Sequence, residues 1–411
     1  MPRPVPHPSH PRRAVIIGGS MSGLFAGLML RSAGWRVEIY EKVEGEMSGR
    51  GAGIVAQPEI LTALRDLGLE TAGLGVAVQK RRLLDASGRI TLEADCPQVM
   101  TAWERVYRML RDAFPAGHYH RARALVAVEQ DDAGVTAIFT DGAPVRGDVL
   151  IGADGIRSTV RGLCAPECQP LYAGYSAWRA LIAERAMPPH VHRDIFPYMA
   201  FCLPPGEQML GYPVAGPDDD LRPGHRRYNM IWYRPADERA ELVALLTDES
   251  GVRHAMSIPP PLISRRSIAG MREAAARLLA PQFVEAVDLV DQPILQPIFD
   301  LVSDRIAFGR IALIGDAAFV ARPHVGAGVA KAAGDAAALV AALGASDAVV
   351  PALKQFQAER LPEGLRMVQR ARHLGAYLQA ARSSEEAAFA ARHSVAEAVL
   401  KETATLDFLY A

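Results

Sequence analysis

Residues 14–23 read Ala-Val-Ile-Ile-Gly-Gly-Ser-Met-Ser-Gly, and 18 residues past Gly23, at the end of Arg36-Val-Glu-Ile-Tyr40, stands Glu41. Ala14 to Ile17 is a short apolar run of the kind that forms a buried parallel strand. It passes directly into the glycine-rich turn, then into a helical pattern from Leu24 to Gly34, then into a second strand from Arg36 to Tyr40. The unit is βαβ. Gly18 permits the tight turn after the strand, and Gly23 lets the helix approach the sheet. The helix start then offers unpaired N–H groups and a positive dipole end to a pyrophosphate. The motif departs from G-x-G-x-x-G at Ser20, which is small enough to keep the approach open and carries a hydroxyl to donate. Glu41 is placed to accept both hydroxyls of a ribose. A dinucleotide site at Gly18, Ser20, Gly23 and Glu41 is therefore expected; the competing reading is a structural glycine turn with Glu41 solvated.

Working outward, Val76 to Glu93 alternates as strands around the turn Asp85-Ala-Ser-Gly88, and a helical pattern runs from Trp103 to Phe114. Three strands follow at Leu125–Glu129, Val135–Thr140 and Val149–Ile151. Residues 171 to 268 mix strands with Pro-rich loops, the clearest strand being Tyr228–Tyr233. From Ile311 the βα rhythm returns, and the chain after Gly328 reads as Ala-rich helix. The expected fold class is α/β: a Rossmann-like cofactor domain interrupted by a β-sheet substrate domain, with C-terminal helices. The expected boundaries are a disordered tail at 1–12, a discontinuous cofactor domain at 13–75, 99–170 and 292–411, and a substrate sheet at 76–98 and 171–291.

The chain has 411 residues, with 45 Lys plus Arg against 46 Asp plus Glu and a formal net charge of −1. That balance lacks the basic excess of phosphate-backbone binding, so no nucleic-acid partner is expected. No run reaches the roughly 18 apolar residues of a membrane span, and the Pro-rich start MPRPVPHPSHPRR has no signal-peptide core. A cytoplasmic protein without a membrane partner is expected, with self-association left open. The four cysteines are too few for a disulfide framework. Cys164 and Cys168 lack further ligands, as do the pairs His118/His120 and His190/His192, so no metal is expected.

Two later segments distinguish FAD from NAD. Ile151-Gly-Ala-Asp-Gly155, followed by Arg157-Ser158 and Val160-Arg161, resembles the GADG motif of the single-component flavoprotein aromatic hydroxylases. Arg310-Ile-Ala-Leu-Ile-Gly-Asp316-Ala-Ala, followed by Pro323 and Gly326-Ala-Gly328, resembles their second FAD fingerprint. With the N-terminal unit, all three signatures stand in family order over nearly the whole chain. The segments Gly53-Ile-Val-Ala-Gln-Pro58, Tyr172-Ala-Gly-Tyr-Ser-Ala-Trp-Arg179 and Arg322-Pro-His-Val-Gly326 are similar to a subgroup that hydroxylates electron-rich hydroxypyridine rings.

The resemblance implies the fold group of para-hydroxybenzoate hydroxylase, bound FAD, NAD(P)H as a transient co-substrate, and attack on a small aromatic ring by a flavin C4a-hydroperoxide formed with O2. It implies that Asp316 accepts a hydrogen bond from the flavin's ribityl chain and that Asp154 serves both FAD and NAD(P)H. Pro323, Gly326, Gly328, Val329 and Ala330 would lie against the isoalloxazine, with the following helix aimed at its N1–C2=O edge. Lys42, Arg50, Gly53 and Val126 complete the implied cofactor contacts. The chain departs from the family in reading Gly326-Ala-Gly-Val-Ala330 where two polar side chains are usual, in Trp103 where an FAD-binding Arg is frequent, and in Phe319 where His is frequent. Lys331 and Arg105 stand close to these departures.

For the substrate, His324 is the best-placed candidate for proton management, because an imidazole titrates in the useful range. The competing reading is a His hydrogen-bonded in a tight loop. Tyr212 and Gln57 could hydrogen-bond ring substituents, with Tyr212 a catalytic candidate, and Trp232 is a candidate wall of the substrate site. Other chemistries on the same fold remain open: a phenol hydroxylase, a halogenase, a reductase or a non-catalytic flavin-binding regulator. A W-x-W-x-I-P segment, expected of the halogenases, is absent.

Overall fold

The structure is a computed structural model and describes residues 11–45, 47 and 53–410. Most of the expected tail and the candidate Arg50 lie outside the described residues. Arg12, assigned to the tail, instead donates from its guanidinium to the Leu343 and Ser346 carbonyls at the end of a helix.

Three sheets organise the described chain. The first has six strands in the order Ala307–Phe308, Ile311–Leu313, Val149–Gly152, Arg13–Ile17, Arg36–Tyr40, Tyr119–His120. All its pairs are parallel except that of Ala307–Phe308 with Ile311–Leu313. Ala14 to Ile16 are fully buried, as near-continuous apolar strands are when both faces of a sheet are covered. The helix Met21–Ser32 packs beside the later helix Gly328–Gly344. Gly23 makes the first helix's close approach affordable: a Cβ there would lie 2.0 Å from the Gly18 carbonyl oxygen. At the sheet's far side, the Gly315 N–H donates to Asp335 at 2.8 Å, and Arg360 holds the same carboxylate at 2.9 Å. That buried pair ties the turn before Asp316 to two C-terminal helices.

The second sheet has nine strands, mainly antiparallel: Phe319–Val320, Ile294–Val302, Leu171–Ala183, Arg227–Pro235, Gln208–Val214, Met199–Cys202, Val76–Leu84, Ile90–Ala102 and Gly53–Val55. This differs from the expected boundaries. Ile294–Val302, Phe319–Val320 and Gly53–Val55, all assigned to the cofactor part, hydrogen-bond into this sheet. The reason is strand pairing: Ile294–Val302 lies between Leu171–Ala183 and Phe319–Val320, and Gly53–Val55 completes the opposite edge against Ile90–Ala102. A third, three-stranded sheet contains Leu125–Gln130, Val135–Phe139 and Val145–Gly147.

Strand pleating gives the large sheet two different faces. Trp178, Met230 and Trp232 point into a core formed with the helices Pro189–Ile195, Arg265–Leu278 and Pro281–Asp288. Tyr175, Ala177, Ile231 and Tyr233 point the other way, with Leu210, Tyr212 and Val214, toward the parallel sheet and the C-terminal helices. The paired histidines also find their partners: His118 and His120 both bind Glu38, while His190 and His192 lie on a helix and bind Glu285 and Glu184.

Candidate active site

A cavity of about 650 Å3 lies between the carboxyl ends of the parallel strands and the second face of the large sheet. Open α/β sheets bind ligands at that edge, and the volume falls in the usual range of roughly 300–1,000 Å3 for ligand sites. One end is built by Gly18, Ser20, Glu41, Lys42 and Asp154. Gly18 has φ of +105°, and a Cβ there would meet the Ala153 carbonyl oxygen at 2.3 Å. Glu41 is buried, and its carboxylate accepts from the Gly19 and Val43 N–H groups, both at 2.9 Å. Asp154 accepts from Ser158 and from the Thr159 N–H at the start of a short helix, and burial pushes its carboxyl pKa upward.

Two helix starts open on this cavity. The helix Met21–Ser32 and the helix Gly328–Gly344 both lack a side-chain cap and an acidic residue in the first turn. Ser20, Met21, Ser22, Gly328 and Val329 all line the cavity. The free N–H groups and positive ends of two helices thus face one space, a donor set suited to an anionic, carbonyl-rich ligand such as a dinucleotide. At 2.8 Å from Tyr175 Oη, His324 Nε2 sits beside this region on the loop that ends at Gly326, whose φ is +61°.

The far end of the cavity is walled by the large sheet. Met199, Leu210, Ile231 and Ile298 supply apolar surface, and Arg179, Tyr212, Tyr233 and His324 supply the polar groups. Burial pushes the Tyr212 phenol up to about 12 and raises the Tyr233 phenol further, so both remain hydrogen-bond donors at neutral pH. Thr403 and Ala404 close the side next to Gly326. The Ala404 N–H donates to the His324 carbonyl at 2.7 Å, and its own carbonyl accepts from Gln57 Nε2 at 3.0 Å and Gln98 Nε2 at 2.9 Å.

Comparison with known proteins agrees with this architecture. Residues 172–300 match the family described as FAD binding domain-like, and residues 273–371 match the FAD binding domain family. The chain is 31% identical over 372 residues to 2,6-dihydroxypyridine 3-monooxygenase of Paenarthrobacter nicotinovorans, covering 89% of this chain and 91% of that one. It is 29% identical to 3-amino-4-hydroxybenzoate 2-monooxygenase of Streptomyces cremeus, covering 88% and 86%. The solved structure of 2,6-dihydroxypyridine-3-hydroxylase from Arthrobacter nicotinovorans superimposes with a TM-score of 0.85 at 29% identity, over 93% of this chain and 96% of that one. The chain belongs to the FAD-dependent aromatic monooxygenases.

For a member of that family, the cavity brings together most of the residues singled out from the sequence. Gly18, Ser20, Glu41, Lys42, Gly53, Asp154, Asp316, Pro323, Gly326, Gly328 and Val329 line it. Gly23 and Ala330 are buried but do not line it; the first is packing contact between helix and turn. Val126 is 46% exposed and stands outside the lining, its neighbour Leu125 and the nearby Arg123 being inside. Their strand, Leu125–Gln130, turns Leu125 and Val126 to opposite sides.

Three substrate candidates change. Trp232 lies on the sheet face opposite the cavity, because its pleat parity is that of Trp178 and Met230. Tyr233, one residue on, takes the place expected of it. Gln57 spends its amide N–H on the Ala404 carbonyl, so it fastens the C-terminal segment rather than lining the site. His324 is fully buried, and burial with the adjacent Arg322 guanidinium pushes it down to about 3. A shift in that direction keeps the imidazole neutral at pH 7.

The cavity also contains residues to which the sequence assigned no role. Trp103 lines it, stacked on Tyr107 at 5.1 Å, whereas Arg105 turns toward Asp219. Lys331 donates to Asp316 at 3.1 Å and to the Phe319 carbonyl at 2.5 Å. Arg179 and Ala404 also line it. The run Tyr175-Ser-Ala-Trp-Arg179 carried a usable signal for Arg179, since period-2 spacing puts it on the same face as Tyr175.

Proposed function

We propose that this monooxygenase hydroxylates a small, electron-rich hydroxypyridine-type ring, using FAD, NAD(P)H and O2, as a cytoplasmic enzyme. The observation that carries the reading is the far end of the cavity: an apolar wall with a few convergent donors, directly beside the two open helix starts. The relation to 2,6-dihydroxypyridine 3-monooxygenase supports the ring class, and four free cysteines suit a reducing compartment.

In this reading the parallel-sheet part holds FAD and the large sheet roofs the substrate. Glu41 would take the ribose, the N–H groups at Ser20 to Ser22 the pyrophosphate, Asp316 the ribityl chain, and the helix start at Gly328 the flavin carbonyl edge. Bound FAD, reduced by NAD(P)H, would supply the activation of O2, of which one oxygen atom goes to the ring and the other to water. The chain's own groups position the ring and keep the site dry. The Tyr212 and Tyr233 phenols donate to ring substituents, Met199, Leu210, Ile231 and Ile298 exclude water, and the Ala404 segment seals the side next to Gly326. Exclusion of water matters because solvent access would release reduced oxygen without ring oxidation.

The test is anaerobic flavin reduction by NADH and by NADPH, with and without 2,6-dihydroxypyridine, 3-amino-4-hydroxybenzoate and simple phenols, followed by aerobic product analysis. Hydroxypyridine should accelerate reduction and give a coupled hydroxylated product. If no ring compound accelerates reduction or is oxygenated, the hydroxylase reading fails; preference for a phenol moves the substrate class.

A further inference from the structure

We propose that Arg179 is the specificity-determining cation of the substrate site and that the ring binds there as its anion, through an ionised ring oxygen. The proposal rests on the reading of the cavity as an aromatic-substrate site and names the charge state of that substrate.

Arg179 stands on the strand Leu171–Ala183, with its side chain on the cavity face between the strands Arg227–Pro235 and Ile294–Val302. Among the described residues its guanidinium donates from Nη1 to the neutral Gln296 Oε1 at 2.7 Å, and its Nε is buried without a partner. Gln296 accepts from it, Tyr212 and Tyr233 lie within reach of its charge, and His324 lines the same cavity. Both phenols are protonated and feel the Arg179 charge, and His324 is neutral. Among the described residues no carboxylate answers Arg179. Two other cations of the lining differ in this respect: Arg322 is held by Asp300 at 3.0 Å, and Lys331 by Asp316 at 3.1 Å.

A half-buried guanidinium whose neighbours are all neutral is electrostatically incomplete until an anion arrives. An ionised hydroxyl on a flat ring supplies that charge. It also makes the ring more electron-rich, which favours attack by an electrophilic oxygen. Because Arg has no accessible deprotonated form, the preference is set by the ring's ionisation and not by the protein's. An opposite charge at close range lowers an acid's pKa by about 1 to 3 units, so the bound ring should ionise well below its value in water.

The experiment uses the FAD-loaded enzyme and its R179Q and R179K variants, with flavin absorbance per protein as the check on folding. The probes are 2,6-dihydroxypyridine, 4-nitrophenol, whose phenolate absorbs in the visible, and 4-nitroanisole, which cannot ionise. The wild type should bind both ionisable rings more tightly as pH rises through their ionisation, lower the apparent pKa of bound 4-nitrophenol, and bind 4-nitroanisole weakly and independently of pH. R179Q should weaken binding of the ionised rings by about 10- to 100-fold and abolish the shift, while R179K restores part of it. An unshifted nitrophenol pKa in the wild type, equal binding of nitroanisole, or an unchanged shift in flavin-loaded R179Q would overturn the proposal. A shift that depends on Arg179, together with no oxidation of 2,6-dihydroxypyridine, would uphold it and remove only the hydroxypyridine reading.

Discussion

Replacing His324 by glutamine tests whether this residue is a neutral structural acceptor. The folded-state pKa is about 3, driven down first by burial and then by the Arg322 guanidinium, whereas an exposed His titrates near 6.5. The unfolded chain therefore takes up a proton as pH falls through about 6.5, and the folded chain does not until about 3. The stability contribution is fully present above the unfolded value and is lost as pH falls toward the folded one. Each pH unit within that window is worth about 1.4 kcal/mol, so between pH 6.5 and 5 the wild type should lose about 2 kcal/mol through this residue alone. Gln can keep an acceptor for Tyr175 Oη, now bonded to Nε2 at 2.8 Å, without a titrating group. Urea unfolding of both proteins from pH 8 to 5, with and without added FAD, measures the difference. The stability gap should move in favour of the variant by about 2 kcal/mol on acidification, and kcat should show no limb in this range that the variant removes. Parallel stability profiles would refute the buried, neutral assignment. A lost kinetic limb would restore His324 as a proton carrier.

Three further substitutions separate the parts of the fold. Gly23→Ala places a methyl where 2.0 Å separates it from the Gly18 carbonyl oxygen; FAD retention after purification, read as flavin absorbance per protein, should fall by about tenfold or more as turn and helix part. Trp232→Phe and Tyr233→Phe should behave oppositely: the first costs about 1–2 kcal/mol of stability and leaves kcat/KM nearly unchanged, the second keeps stability and lowers kcat/KM by about tenfold. Reversal of that pattern would place the wrong face of the sheet against the substrate.

The local geometry of the cofactor end was readable because it follows from short-range constraints. A glycine at φ of +105° beside a carbonyl, a helix start without a cap and a carboxylate at a strand end are each dictated within a few residues. The membership of the large sheet was not readable in this way. Ile294–Val302 sits next to Leu171–Ala183, over a hundred residues earlier in sequence, and Gly53–Val55 joins the far edge through Ile90–Ala102. Apolar runs announce strands, but they do not say which ladder each will complete. Arg12 illustrates the same limit at smaller scale: its Pro-rich context reads as tail, yet its guanidinium caps carbonyls contributed by residues 343 and 346.

The substrate end depended on parity. In Tyr228-Asn-Met-Ile-Trp-Tyr233 all six residues are buried, so hydrophobicity alone does not distinguish the two faces, and the indole at 232 attracts attention as the largest side chain. A strand buried on both sides carries its site information in register, and register comes from neighbours: Arg179 opposite Ile231 and Ala177 opposite Tyr233. Once those pairs are known, Tyr233, Ile231 and Arg179 fall on one face, with Tyr212 and Leu210 joining from the next strand. The same parity leaves Arg179 without a carboxylate: its strand neighbour contributes Ile231 on one side and its other neighbour Ile294. A cation flanked by two isoleucines in a ladder, donating only to the neutral Gln296 amide among the described residues, gains no charged partner from folding. Its energetic return has to come from whatever enters the cavity, which is why its charge, more than the shape of the aromatic wall, should decide which ring is accepted.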